Sequence, residues 1–151
     1  MKSLKCYIQE KLVIKKSKII DYKYFPKTKK ELENIIEQRI KEEGNEVNLN
    51  DIDVSKITDM SYLFLNTDFN GDISNWDVSN VTDMSGMFEF SKFNGDIFNW
   101  NVSKVINMIG MFTESKFNGD ISGWNVSNCR EMNLMFDNSP LENNPPKWYK
   151  R

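Results

Sequence analysis

Apolar residues recur along most of this chain with a period of 24. Leu49, Ile73, Ile97 and Ile121 form one column, and Ile52, Trp76, Trp100, Trp124 and Trp148 form the next. Further columns are Val54, Val78, Val102 and Val126; Ile57, Val81, Val105 and Cys129; and Met60, Met84, Met108 and Met132. Phe64, Phe88, Phe112 and Phe136 make another, and Phe69, Phe93, Phe117 and Leu141 close the set. The spacing holds without insertion, so the pattern belongs to a repeat array. No single unit can bury seven apolar columns within itself. Stacking like on like hides each column beneath its neighbour, and each fully buried Ile, Val, Met or Phe contributes about 1.5–3 kcal/mol.

Within a unit, Ile73-x-x-Trp76-x-Val78-x-x-Val81 follows leucine-rich spacing. That predicts a short strand near residues 75–78. Thr82 or Asp83 is then expected to cap a one- or two-turn helix running through Phe88 and Phe90. The expected fold is α/β: a short right-handed leucine-rich-type solenoid with a parallel strand ladder, its turns about 4.8 Å apart, and an N-terminal capping helix. Thr28 and Glu31 after Pro26 read as a capping box. Leu32, Ile35, Ile36 and Ile40 give one apolar helical face and Gly44 a stop, so a helix is predicted over 29–43. At the other end Pro145 and Pro146 replace pairing residues and block a further turn. Three regions follow: residues 1–26, an extension; 27–46, the capping helix; and 47–151, the repeats with a degenerate C-terminal cap.

The extension is amphipathic at its start, with Leu4, Ile8 and Leu12 at helical spacing, followed by Lys11, Lys15, Lys16 and Lys18. It reads either as a docking segment for a partner or as part of the cap. Glu10 interrupts it and it is short, which argues against a membrane-surface role. No apolar run spans a bilayer, and the N-terminus lacks the pattern of a secretion signal.

Charge is uneven. Residues 1–50 carry 12 Lys and Arg against 8 acids, and residues 51–151 carry 8 against 14. An acidic body repels phosphate, so no nucleic-acid partner is expected. The sequence has no histidine, which removes the commonest general base and metal ligand. The two cysteines, Cys6 and Cys129, sit in unlike contexts and read as free thiols; Cys129 takes the place of Val81 in its column, a small core residue. No nucleotide-binding, hydrolase or redox motif is present. The expectation is a protein that is not an enzyme and holds no cofactor. Asn70-Gly71-Asp72, Asn94-Gly95-Asp96 and Asn118-Gly119-Asp120 stack oxygen atoms that suit Ca²⁺ in kind. The reading preferred is that they satisfy turn backbone groups, with no metal.

The string Phe93-Asn94-Gly95-Asp96-Ile97-Phe98-Asn99-Trp100-Asn101-Val102-Ser103, with Val81-Thr82-Asp83-Met84-Ser85-Gly86-Met87-Phe88, resembles the BspA-like leucine-rich-repeat family, a mycoplasma-type surface-protein repeat of unknown function. The resemblance covers residues 47–136. It implies a bacterial adhesin or a phage-encoded relative. This chain lacks the signal and lipid-attachment box of the surface type, so a cytoplasmic or virion-associated place is expected.

Departures from the repeat point to a binding surface, because a solvent-facing column needs only polarity. Phe98 stands where Ser74 and Ser122 stand, Ile106 where Thr58 and Thr82 stand, and Ile109 where Ser61 and Ser85 stand. Tyr62 and Phe90 are further apolar outliers in columns held by Gly86 and Gly110, or by Asn66 and Glu114. These five residues are the candidate contact patch; the alternative is packing against a neighbouring turn. The function expected is a non-enzymatic protein–protein interaction module with a protein partner. The other reading is a structural or cargo component of a bacteriophage particle, addressed by its N-terminal segment.

Overall fold

A computed structural model describes residues 20–150. Its one helix among these residues, α1, spans Lys29–Glu43. The Thr28 hydroxyl accepts from the Glu31 N–H at 3.2 Å, and the Glu31 carboxylate accepts from the Lys27 N–H at 2.7 Å. One orphan donor of the helix start, the Glu31 N–H, and the Lys27 N–H just ahead of the cap are thereby satisfied. Gly44, at φ 90°, ends the helix while its N–H bonds the Ile40 carbonyl. Leu32 and Ile36 are buried against the repeats, and Ile35 and Ile40 are partly so.

The repeats pile up in register as four turns, which we number from Asn48, Asp72, Asp96 and Asp120. Phe64, Phe88, Phe112 and Phe136 stack at 5.5–5.9 Å with near-parallel planes. Phe69, Phe93 and Phe117 do the same at 6.0–6.2 Å. Trp76 and Trp100 lie 6.4 Å apart at 4°, and Trp124 and Trp148 lie 6.4 Å apart at 11°. Each indole also reaches back a turn: the Nε1–H groups of Trp76, Trp100, Trp124 and Trp148 donate to the carbonyls of Leu49, Ile73, Ile97 and Ile121. One side chain thus supplies both buried area and a donor for a carbonyl inside the stack. An eighth apolar column, Met87, Met111 and Met135, is fully buried as well.

The expected α/β solenoid with a parallel strand ladder is not formed. Among the described residues there is no sheet; parallel pairing is confined to isolated bridges, such as Asp59 with Asp83, Asp83 with Asn107 and Asn107 with Glu131. Residues 75–78 are not a strand, and residues 85–90 are consecutive turns instead of a helix. At 75–78 the Trp76 and Val81 N–H groups close local turns onto Ile73 and Val78, and in 85–90 the backbone torsions give the reason. Tyr62, Gly86, Gly110 and Leu134 all sit at φ 57–61°, and Asn66, Phe90, Glu114 and Asn138 at φ 51–56°. Two left-handed residues in each turn interrupt any strand and any right-handed helix. The N–H groups of Met87, Glu89 and Ser91 close overlapping turns onto the carbonyls of Met84, Gly86 and Phe88. The alternate N–H groups, of Met84, Gly86, Phe88 and Phe90, cross to the carbonyls of Asn107, Ile109, Met111 and Thr113 in the next turn. We call this segment of each turn the rim. Its backbone is cross-linked between turns without being extended.

Elsewhere in the turn, short polar side chains stand in for pairing partners. Asp72, Asp77 and Asp83 each accept the N–H two residues ahead, from Ser74, Ser79 and Ser85. Such local bonds compete with strand formation, and they account for the Asp-x-Ser triplets that recur along the chain.

At the N-terminal end α1 lies over the first turn. Arg39 is 8% exposed. It donates to both carboxylate oxygens of Asp51 at 2.9 and 3.1 Å, to the Asn48 carbonyl at 3.1 Å and to Glu43. Its guanidinium lies 5.3 Å from the Tyr24 ring centre. Burial by itself would lower the Arg39 pKa; the bonds to Glu43 and Asp51 outweigh it and raise it. Residues 23–24 add backbone bonds to Asp51 and Asp53. The stretch before α1 is therefore part of the cap from Lys23 onward.

Candidate interaction surface

Each residue singled out above occupies a definite corner of its turn. Tyr62 and Phe90 are 53% and 52% exposed, and both lie on the rim. Adjacent rims are bonded directly, the Tyr62 N–H to the Ser85 carbonyl and the Asn66 N–H to the Glu89 carbonyl, so Tyr62 and Phe90 share one strip of surface. The Tyr62 ring lies over Gly86, where any side chain would collide with it. Glycine at 86 thus serves two ends: it takes the left-handed torsion without strain and leaves room for the tyrosine.

Ile106 precedes the bridged Asn107, and Ile109, the equivalent of Ser85, lies on the rim of the third turn. Ile106 is 43% exposed and Ile109 is half-buried. The Ile106 carbonyl accepts from the Arg130 N–H at 2.8 Å, and the Ile109 carbonyl from the Gly86 N–H at 2.8 Å. Phe98 stands apart. Its N–H bonds Asp96, and two β-turns, closed by the Trp100 and Val105 N–H groups, separate it from Ile106. Its ring reaches to within 3.5 Å of the space above Gly123 in the next turn. Gly123 stands where Asn75 and Asn99 stand, and Phe98 remains 45% exposed beside it.

The structure adds two exposed apolar side chains to the rim strip, Leu65 at 44% and Leu134 at 61%. Leu134 was legible in the sequence as the one residue after Tyr62 that breaks the Gly86, Gly110 column. Leucine at φ 60° is strained, because Cβ crowds the following carbonyl. Leu4, Ile8 and Leu12, the proposed docking segment, lie outside the described residues, as does Cys6.

The Asn-Gly-Asp triplets direct oxygens at backbone, and Asp72 also accepts from the Asn48 and Ser74 side chains. Asn70 Oδ1 accepts from the Asn94 N–H and Asn94 Oδ1 from the Asn118 N–H, each at 2.8 Å. Asp96 and Asp120 accept the N–H groups of Phe98 and Ser122. No group of three or more acidic or Cys side chains is placed to hold a metal ion among the described residues. The glycines face the rings of Phe69, Phe93 and Phe117, which leave no space for a Cβ.

The column of Cys129 frays. Its thiol is half-buried, with sulfur 3.5 Å from the Ile106 and Glu131 carbonyls. Burial raises its pKa. No helix among the described residues is long and apolar enough to cross a membrane.

No curated protein and no solved structure matches the chain. A family model does match, over residues 30–148, which takes in α1 from its second residue, all four turns and Trp148. The chain therefore belongs to the family described as "Mycoplasma protein of unknown function, DUF285".

Proposed function

We propose that this protein is a non-enzymatic protein–protein interaction module whose contact surface is the rim strip. The observation that carries this reading is the placement of Tyr62, Leu65, Phe90 and Leu134, all exposed and apolar, on one strip of a stacked frame. Three of them hold left-handed torsions that glycine or asparagine would adopt with less strain. Stability alone selects against bulky apolar residues there, so recognition is the selective reason we assign them. The frame suits the task, since inter-turn bonds fix the backbone from which these side chains project. The resemblance to BspA-like surface repeats, often adhesins, supports the same reading.

The test is affinity capture with mass spectrometry, comparing the natural chain with a Tyr62→Gly, Phe90→Asn double variant. Both substitutions place residues already found in those columns, so the fold is retained. The reading expects a partner that the natural chain enriches and the double variant loses. Capture that is indifferent to both substitutions would refute it.

A further inference from the structure

Among the described residues no turn follows the rim of the fourth turn. In the first three turns the alternate N–H groups pair forward: Met60, Tyr62, Phe64 and Asn66 with the carbonyls of Asp83, Ser85, Met87 and Glu89, and likewise from Met108, Gly110, Phe112 and Glu114 to Glu131, Asn133, Met135 and Asp137. The corresponding N–H groups of Met132, Leu134, Phe136 and Asn138 have no acceptor among the described residues. The core behind them is closed: Trp148 stacks on Trp124, and the Tyr149 ring meets the Phe136 ring edge-on at 4.9 Å. Between this lid and the rim lies a cleft of about 550 Å³, lined by Arg130, Leu134, Asp137, Tyr149 and Lys150 among others. A closed core beside an open row of donors admits a single segment of chain, not another full turn.

From this we infer that the C-terminal rim is a docking edge for a short acidic peptide segment of a partner protein, bound through backbone carbonyls at two-residue spacing. The inference rests on the interaction-module reading and gives that surface its edge. Hydrogen-bond complementarity sets the backbone requirement, because a row of unpaired donors is a template for carbonyls. Charge sets the side chains: Arg130 and Lys150 stand at the cleft against Asp137. Leu134 supplies the apolar contact. In the first turn Tyr62, at the same position, covers Gly86 of the turn that pairs with it. Leu134 is placed to cover a glycine of the incoming segment in the same way.

A second copy of this chain does not fit the edge. Two such edges face to face set donors against donors. Head-to-tail stacking needs a bare first turn, and there Leu32 and Ile36 of α1 already occupy the core while Lys29 holds Asp59 and Ser61.

The second turn of this chain contains the natural probe. A synthetic peptide of residues 81–91, Val-Thr-Asp-Met-Ser-Gly-Met-Phe-Glu-Phe-Ser, carries two acids, no basic side chain and the four carbonyls that pair with the rim of the first turn. Added to the full chain, it is expected to slow amide exchange at Met132, Leu134, Phe136 and Asn138 by about tenfold or more at saturation. Arg130→Glu in the protein, or Gly86→Leu in the peptide, is expected to weaken binding by about tenfold or more. Absence of protection at these four amides overturns the edge, even if partner capture still depends on Tyr62 and Phe90. Protection without any peptide, accompanied by dimers in sedimentation, overturns the choice of occupant. Loss of capture dependence with the edge intact strikes only the rim-strip reading.

Discussion

Replacing Trp100 by phenylalanine isolates what the indole N–H contributes to the stack. Trp100 is 4% exposed, lies between Trp76 and Trp124 in its column, and donates to the Ile73 carbonyl at 3.2 Å. Phenylalanine keeps most of the buried ring and leaves that carbonyl inside the stack without a donor. A buried polar group left unpaired costs about 1–3 kcal/mol, and the ring-size mismatch adds about 1 kcal/mol. The predicted loss for Trp100→Phe is therefore about 2–4 kcal/mol. Trp100→Ala removes the ring too and adds a cavity, for a loss of about 4–7 kcal/mol. Since a domain of this size is stable by about 5–15 kcal/mol, the alanine variant sits near unfolding. Urea denaturation followed by circular dichroism reads both, and an unchanged slope shows that the transition keeps its size. Trp148 makes the same bond to Ile121 at 3.0 Å but is only half-buried at the end of the column. Trp148→Phe is expected to cost less than half as much as Trp100→Phe. A Trp100→Phe cost under about 0.5 kcal/mol, within the scatter of ordinary surface changes, or equal costs at 100 and 148, would refute the reasoning.

Other perturbations follow from the same contacts. Arg39→Met leaves the Asp51 carboxylate with only the longer Lys23 ion pair and the Asn48 carbonyl without its donor, and is expected to cost about 2–4 kcal/mol, with helical signal lost ahead of the repeats in thermal melts. Leu134→Gly exchanges a strained, 61%-exposed leucine for a residue at ease with φ 60°, so chemical denaturation should show stability unchanged or raised by up to about 1 kcal/mol. The carboxyl of Asp59 is held low: burial would raise it, but the Ser61 bonds and Lys29 outweigh burial, and Asp120 is lowered by Ser122. A depressed folded pKa gives stability that is present above the unfolded value, near 3.9, and lost as pH falls below it. Melting temperature should therefore hold from neutral pH to about 5 and drop below about 4, less steeply in Asp59→Asn. Burial raises the Cys129 thiol, so its alkylation by iodoacetamide should be slower at neutral pH than that of an exposed cysteine peptide, and should catch up on unfolding.

The sequence exposed what depends on apolar side chains and hid what depends on backbone torsion. Period, register and the tryptophan column are visible because each buried position needs a large apolar residue in every turn. The capping helix is visible because Thr28, Glu31 and Gly44 mark its ends chemically. The strand expected at 75–78 came from the spacing Ile73-x-x-Trp76-x-Val78, and the rim was read as a short helix because Thr82 and Asp83 suit a cap; neither signal separates regular structure from overlapping turns. The torsional clue was faint: glycine holds the left-handed position only at 86 and 110, while Tyr62 and Leu134 hold it in the outer turns. Of the candidate patch, Tyr62, Phe90 and Ile109 lie on the rim and Phe98 does not, since nothing in a 24-residue alignment says which way a corner turns. Arg39 was missed because a single arginine on a charged helix looks like solvated surface. Its partners, Asn48 and Asp51, come from a different element.

Successive rims are joined by backbone hydrogen bonds without forming strands. Scalar couplings across hydrogen bonds, read by nuclear magnetic resonance from each amide to its acceptor carbonyl, test this directly. The amides of Tyr62, Gly86 and Gly110 should couple to the carbonyls of Ser85, Ile109 and Asn133, and those of Phe64, Phe88 and Phe112 to Met87, Met111 and Met135. Leu134 and Phe136 should show no such coupling in the free protein. Couplings four residues back along the chain, or a continuous strand ladder through residues 75–78, would contradict the account.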